Sequence, residues 1–228
     1  MSILHTITKF LSKRLLTQGT GNGIKQNYLH IGTKPHTKTR TSIKISAVRS
    51  IWGYVAVAFN QVDKDRLRRV GPNRLCAEWI LKNGGGVRMT ENPTKLWKEY
   101  NHLPAENTPF RIKVVDATNS SIMKIGLHHF EGCRNIDTVI FHKCKHLEND
   151  GLEGLAYLSQ SLANLQVSGC YNIRDSGLAF ISHLRNLKQL LIFDMPYVQN
   201  MDEVANKLKK SLPECDVQAN KFGVQFKK

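Results

Sequence analysis

The sequence predicts an α/β protein: a solenoid of about four short βα repeats with a short parallel sheet, capped by a small helical N-terminal domain. Two observations predict this fold. One stretch occurs twice, as IDTVIFHKCKHLENDGL from residue 136 and as LANLQVSGCYNIRDSGL from residue 162. Ahead of both copies lie apolar segments with helical spacing, which can cover the open end of such a stack.

When Cys144 is aligned with Cys170, the inward apolar positions of the two copies agree: Ile136, Val139, Phe141, Leu147 and Leu152 match Leu162, Leu165, Val167, Ile173 and Leu178. The offset between these cysteines lies within the range of leucine-rich repeats, about 20–29 residues. Alternating apolar residues predict a short strand with one face inward, and the small cysteine fits the turn beneath it. Asn149 and Asp175, which follow the cysteines at equivalent positions, are expected to cap the helix that comes next. The alternative is two unrelated βα units.

Two further copies are weaker. One weaker copy follows the two clear copies at almost the same sequence offset. The other precedes them, and its Gly-Leu pair is displaced by a single position. The expected inward positions are Leu187, Leu190, Ile192, Met195 and Val198 in the following copy, and Ile112, Val115, Ala117, Ser120 and Met123 in the preceding copy. No such unit buries its own apolar edge, so the repeats are expected to stack over residues 109–217.

The formal net charge of +15 at first suggests a nucleic-acid binder. The charge distribution argues against that class, because nine Lys or Arg precede the first acidic residue, Asp63. The rest of the chain carries 24 basic and 18 acidic residues, a net charge of +6. We therefore expect no nucleic-acid partner. The five cysteines form no CxxC pair, which indicates buried thiols in a reducing compartment.

Residues 1–48 are basic, rich in Ser and Thr, and free of acid. Apolar residues between Ile3 and Leu16 lie on one helical stripe beside Lys9, Lys13 and Arg14. An amphipathic start of this kind is typical of a mitochondrial transit peptide. The alternative is a disordered basic arm.

Residues 49–108 predict the helical N-terminal domain. A helix is expected over residues 51–69, and its apolar stripe either caps the first repeat or lies on a membrane surface. Val70-Gly71-Pro72 is expected to break it, and a second helix over residues 72–83 ends at three glycines, the first being Gly84. Trp79 and Trp97 are expected to anchor the core.

At the C-terminal end, residues 201–212 predict a helix that closes the stack, because apolar residues recur on one side of it. Residues 218–228 are expected to form a flexible tail. No apolar run approaches the roughly 18 residues that a membrane-spanning helix needs.

Catalytic motifs are absent from the sequence: it contains no HExxH, no GxSxG, no Walker loop and no kinase signature set. We therefore expect neither an enzyme nor a small-molecule substrate. His128-His129 together with His142, Cys144 and His146 form the nearest metal-ligand cluster. Strand alternation turns His142 outward and the repeat position turns Cys144 inward, so a zinc site there is not favoured.

Several motifs carry a resemblance to a known family. IWGYVAVAF, VGP, AEWIL, YNHLP, DAT and IMKIG occur in this order between Ile51 and Leu212. The chain resembles the family of mitochondrial ATP synthase subunit s, also called coupling factor B. The resemblance implies a helical domain that caps about four leucine-rich repeats. It also implies a peripheral, non-catalytic factor on the matrix side of the inner membrane, needed for coupled proton flow and ATP synthesis by the synthase.

The same resemblance implies a magnesium site built from main-chain carbonyls and water. The matching positions are Gly84 in the glycine run and Thr118 in VVDATNS. The sequence departs from the family at His142-Lys143-Cys144, where relatives have a CKC pair, so a dithiol role does not carry over.

Two other functions stay open at the level of sequence. A related repeat family assembles the membrane arm of mitochondrial NADH dehydrogenase, and sequence does not separate that role from ATP synthase coupling. F-box adaptors use similar cysteine-containing repeats, but the segment that precedes the repeats does not resemble an F-box helix trio.

Overall fold

The computed structural model describes residues 45–220, with side chains from residue 53 onward. Most of the predicted leader, and residues 221–228 of the predicted tail, lie outside this range. The helices described are α1 Ile45–Asn60, α2 Lys64–Lys82, α3 Asp175–Leu178 and α4 Met201–Ser211. The strands described are β1 Gly86–Met89, β2 Asn92–Trp97, β3 Ile112–Asp116, β4 Thr138–His142, β5 Asn164–Ser168, β6 Gln189–Phe193 and β7 Asp216–Asn220. Short 3-10 helices occupy Tyr100–His102, Lys124–Phe130, Asn149–Leu158 and Ala179–His183.

Two helices, not one, occupy the stretch from residue 51 to 69, so the prediction of a single helix there is wrong. α1 ends at Asn60, and Asp63 is the N-cap of α2. The Asp63 carboxylate accepts hydrogen bonds from the backbone N–H groups of Asp65 and Arg66. These contacts satisfy donors that the start of a helix leaves free, which explains why a new helix begins there.

The two predicted glycine breaks are confirmed. Gly71 has a φ of 77° and interrupts α2 with a kink. Pro72 follows at the first turn of the second half, where its missing N–H costs little. Gly84 has a φ of 88°, the left-handed conformation that lets the chain turn away from the end of α2.

A β-hairpin follows α2, within the stretch of residues 49–108 that the sequence analysis assigned to a helical domain. β1 pairs antiparallel with both β2 and β3. The missed signal is the alternation of Val87 and Met89, both of which are buried. Pro93 and Lys95 lie on the outer strand β2, where such residues hinder pairing with further strands.

Seven strands form one sheet in the order β2-β1-β3-β4-β5-β6-β7, and the strands from β3 to β7 are parallel. The register pairs Val139 with Leu165 and Leu165 with Leu190. Equivalent positions of the predicted repeats therefore lie side by side. The α/β class and the parallel alignment of the four predicted repeat strands are confirmed.

One hydrophobic core runs from the second half of α2 to β7, and the chain from Ala56 onward is one compact unit. The core therefore crosses residue 108, where the predicted capping domain meets the predicted repeats, without interruption. All five cysteines are buried and free. Trp79 is a core residue as predicted, while Trp97 is half-buried against the core.

The first predicted repeat departs from its prediction at one position. Ile122, and not Met123, is the buried residue that follows Ser120. The cause is a change of spacing within the unit. Val115 and its strand partner Val139 are separated in sequence by one residue fewer than Gly126 and Gly151, the glycines of the two Gly-Leu pairs.

At the other end of the stack, α4 packs its buried face as predicted. The chain then forms β7, so the predicted start of the tail at residue 218 is wrong. Gln218 pairs with Leu191 and Asn220 pairs with Phe193 across the parallel ladder to β6. Backbone pairing with β6 fixes these residues, although their polar side chains gave no strand pattern.

Asn149 and Asp175 do not cap the helices that follow them, so that prediction is wrong. Oδ1 of Asn149 accepts a hydrogen bond from the Arg174 N–H at 2.7 Å. The Asp175 carboxylate accepts hydrogen bonds from the N–H groups of Gln199 and Asn200 at 3.0 and 3.1 Å. In both cases the side chain reaches the equivalent turn of the next unit, because stacking brings those backbone donors within range.

Candidate functional site

The junction between the helices and the first βα unit centres on Asn60, which is fully buried. Its Oδ1 accepts hydrogen bonds from the Trp79 Nε1–H at 3.1 Å and from the Met123 N–H at 2.9 Å. Its Nδ2 donates to the carbonyl oxygen of Ser121 and to Oδ1 of Asn83, both at 3.1 Å. One amide therefore ties the end of α1 to α2 and to the first unit.

Trp79 forms the apolar half of this junction. Its ring stacks on the imidazole of His129 with centroids 4.9 Å apart, and meets Phe130 edge to face at 5.5 Å. Burial lowers the pKa of His129 to about 4, so the ring is neutral at physiological pH. Gly126 allows this close approach, because a Cβ there would lie 2.4 Å from Oδ1 of Asn60 and 2.6 Å from Trp79.

A buried ion network supports the same helix. Glu78 is 1% exposed and binds both Arg66, at 2.6 Å, and Arg74, at 3.3 Å. Arg66 also reaches Glu106, and these carboxylates raise the pKa of Arg66 above its ordinary value. The sequence analysis did not identify Asn60 or Glu78. In the sequence, each of these residues is only a polar position at the edge of an apolar helical run. That pattern does not reveal which residues they bind.

The structure brings the two predicted magnesium residues to one end of the sheet. β1 runs antiparallel to β3, with Gly86 opposite Asp116. Gly84 precedes Gly86 by two residues, and Thr118 follows Asp116 by two residues. A Cβ on the intervening Gly85 would meet the Asp116 carbonyl oxygen at 2.8 Å. The glycine run is thus required for this close approach of two chain segments.

The chemistry of this turn fits a hard cation. The carbonyl oxygens of Gly84 and Thr118 accept no hydrogen bond from the residues that the structure describes. Asp116 places a carboxylate next to Thr118, since its Oδ1 accepts a hydrogen bond from the Thr118 N–H at 3.0 Å. Carbonyl, carboxylate and water oxygens are the donors that Mg²⁺ prefers.

Side-chain metal ligands do not converge between residues 53 and 220: no group of three or more His, Cys, Asp and Glu there could hold an ion. His142 and Cys144 diverge as predicted. The Cys144 thiol is buried and donates to the Ala117 carbonyl oxygen at 3.1 Å. The half-buried His142 instead contacts Oγ of Ser168 at 2.8 Å.

The His142–Ser168 pair resembles half of a hydrolase triad, but its setting does not suit nucleophilic attack. Ser168 is fully buried, and its Oγ also accepts a hydrogen bond from Nε2 of Gln166 at 2.9 Å. A nucleophile needs an accessible oxygen and a base held by a third group. The contact instead ties β4 to β5 on the outward face of the sheet.

These features define a class of protein: an α/β scaffold of stacked βα units whose front helices are fixed to it by buried polar side chains. None of the described helices is long and apolar enough to cross a membrane.

Comparison with known proteins identifies the family. Human mitochondrial ATP synthase subunit s is 37% identical over 173 residues, which cover 74% of this chain and 86% of the relative. The bovine protein of the same name is 36% identical over the same shares. The mouse protein is 36% identical over 176 residues, 75% of this chain and 88% of the relative. No protein-family model matches the chain. The chain belongs to the family of mitochondrial ATP synthase subunit s, as the sequence motifs indicated.

Proposed function

We propose that the protein is a non-catalytic, peripheral coupling factor of mitochondrial ATP synthase. It binds the membrane sector of the synthase from the matrix side of the inner membrane and supports coupled proton transport and ATP synthesis through protein contacts. The observation that carries the proposal is the similarity over 74% of the chain to relatives named ATP synthase subunit s.

Two structural features support a contact role. One core runs from α2 through the last strand, so the outer faces form a continuous and rigid surface. Rigid partners bind with little loss of conformational freedom. The parallel units repeat with one strand each at a spacing typical of leucine-rich repeats, a fold that presents extended binding faces.

Inner-membrane vesicles from cells that lack the protein provide the functional test. Added full-length protein is expected to restore ATP synthesis driven by a proton gradient, and the same protein unfolded by heat is the control. Normal ATP synthesis in the depleted vesicles, together with loss of membrane-arm subunits of NADH dehydrogenase, would overturn the proposal in favour of an assembly factor.

A magnesium ion held by the carbonyl oxygens of Gly84 and Thr118, with water completing its shell, is the second part of the proposal. When bound, the ion supplies positive charge between the glycine turn and the end of β3. The free oxygens and the Asp116 carboxylate support this assignment. The ion would then fasten the front helices to the first unit.

Thermal unfolding tests the ion. Millimolar MgCl₂ is expected to raise the Tm of the wild-type protein, and Gly85→Ala is expected to abolish this rise because its methyl group displaces the turn. Thr118→Ala is the matched control, since it keeps the backbone carbonyl and should keep the rise. A Tm that does not respond to MgCl₂ in the wild-type protein would refute the site.

A further inference from the structure

A surface of lysine and aromatic side chains lies where the end of α2 meets the residues at the end of β2. The Lys95 ammonium lies 3.5 Å from the centroid of the Trp97 ring. The Lys82 ammonium lies 5.1 Å from the centroid of the Tyr100 ring, a contact that joins α2 to the same segment. Lys98 lies between Trp97 and Tyr100 in the chain and is exposed. We call this set the hairpin surface: Lys82, Lys95, Trp97, Lys98 and Tyr100.

The hairpin surface carries an excess of positive charge. Lys82, Lys95 and Lys98 are exposed, and none of them forms an ion pair with the residues that the structure describes. Residues 95–100 contain one carboxylate, that of Glu99, which lies 3.3 Å from Nδ1 of His102. Three ammonium groups therefore stand against a single carboxylate.

Neighbouring charges leave this excess in place. Arg88 on β1, which has no ion pair within the described residues, offsets the carboxylate of Asp116 on β3. Arg66 and Arg74 are already bound to Glu78. The free cations of the hairpin surface are thus lysines, whose rotatable donors suit phosphate groups at no fixed position better than the planar carboxylates that arginine matches.

The setting of the hairpin surface argues for a bilayer rather than a peptide strand. β2 is the outer strand of the sheet, and Pro93 and Lys95 hinder pairing with a further strand. Tyr100 is 41% exposed, and the buried Nε1–H of Trp97 has no acceptor among the described residues. Lysines beside a tryptophan and a tyrosine are typical of surfaces that contact the headgroup region of a membrane.

We propose that the hairpin surface binds an anionic lipid bilayer. The lysines contact headgroup phosphates, and the rings of Trp97 and Tyr100 lie at the level of the headgroups. Charge complementarity selects this occupant, because the unpaired ammonium groups outnumber the nearby carboxylates. The inference rests on the proposed location of the protein at the inner membrane, and it adds a lipid contact that does not need the synthase.

Co-sedimentation with vesicles tests the proposal on residues 49–228. The predicted basic leader would itself bind anionic lipid, and the described core and the compact unit lie entirely beyond it. Vesicles of phosphatidylcholine and phosphatidylglycerol in equal parts are expected to bind the protein at low salt, and pure phosphatidylcholine vesicles are not. Lys95→Gln/Lys98→Gln should weaken binding about 30-fold, because each lysine near an anionic surface contributes about fivefold.

Lys209→Gln/Lys210→Gln is the matched control. It makes the same charge change at two exposed lysines in the last turn of α4, and it should leave vesicle binding nearly unchanged. Brominated lipid in the mixed vesicles should quench a part of the tryptophan fluorescence that Trp97→Phe removes, which locates the contact at the hairpin surface.

Equal weakening by the two double variants, equal binding to pure phosphatidylcholine, or the absence of quenching at Trp97 would overturn the proposal. Binding of octaglutamate that depends on Lys95 and Lys98, without binding to the mixed vesicles, would assign the surface to an acidic protein partner and would equally overturn it. The vesicles contain no ATP synthase, so a negative result here leaves the coupling role standing. A failure to restore ATP synthesis, in turn, leaves lipid binding standing.

Discussion

Gly126 shows at the level of single residues how tightly the front helices are set on the first βα unit. Its backbone lies against Asn60 and the Trp79 ring, in a space that a methyl group would fill. The fit depends on three residues far apart in the chain. Sequence spacing reveals that Trp79 is apolar and that Gly126 begins a Gly-Leu pair, but it does not reveal that they touch.

Gly126→Ala is expected to lower the free energy of unfolding by about 2 kcal/mol, because backbone or ring must shift to admit the Cβ. Urea denaturation measures the change. Gly53→Ala is the matched control: a Cβ there meets nothing within 4 Å, and Ala favours the helix, so stability should hold or rise. Equal destabilisation by both changes would contradict the tight junction.

His129 gives the pH dependence. Burial beside Trp79 lowers its pKa from 6.5 to about 4, so the unfolded chain binds a proton in this window that the folded protein does not. Stability is therefore expected to fall as the pH drops from 6.5 to 4 and to level off below, with a total effect of about 3 kcal/mol.

His129→Phe keeps a ring against Trp79 and removes the proton. Urea unfolding at several pH values should show the stability difference between wild type and variant changing in favour of the variant as the pH falls through this window. Groups that titrate in both proteins cancel in this comparison. Parallel profiles for the two proteins would contradict a neutral, buried His129.

Among the elements, the stacked turns are tied by side chains rather than capped one by one. Asp175 accepts two backbone N–H bonds from the turn that precedes α4, and Asn200 in that turn caps α4 through the Glu203 N–H. The bond from the Gln199 N–H is the largest influence that holds the pKa of Asp175 below its ordinary value. These contacts therefore connect the βα unit that contains β5 to α4, the helix at the C-terminal end of the stack.

Asp175→Ala should lower the unfolding free energy by about 1–2 kcal/mol at pH 7, since two charge-assisted bonds are lost. Because the folded pKa is lowered, this stabilisation is present above about pH 4 and disappears as the pH falls through the folded value. Lys207→Ala removes an exposed pair with Glu203 and the smallest of the influences on the pKa of Asp175, so it should change stability little. Denaturation at pH 7 and pH 3 distinguishes the two. A wild-type advantage that is unchanged at pH 3 would argue against the carboxylate's role.

The elements also show what sequence can and cannot predict. The spacing of apolar residues, together with the repeat that aligns Cys144 with Cys170, predicted three features. These are the parallel strands, their alignment and the burial of both cysteines. The β1–β2 hairpin and β7 were not predicted, because short strands with polar outer faces depend on pairing with neighbours. The predicted helix boundary was wrong near Asp63, because the Asp63 side chain caps a new helix in the stretch predicted to be one helix.

At the scale of the whole molecule, α2, the hairpin and the stacked units share one core, so a partner meets them as one body. The assignment of magnesium to this turn stays a prediction that rests on family resemblance. Two backbone carbonyls carry no side-chain pattern, so sequence spacing alone does not point to them. The buried polar junction was not predictable, because Asn60 and Glu78 look like ordinary surface residues in sequence.

The most direct test of the account is where the protein migrates when inner membranes are dissolved in mild detergent and separated on a native gel. Immunodetection of the full-length protein is expected to place it with intact ATP synthase. Migration with the membrane arm of NADH dehydrogenase, or apart from both complexes, would contradict the proposed coupling role.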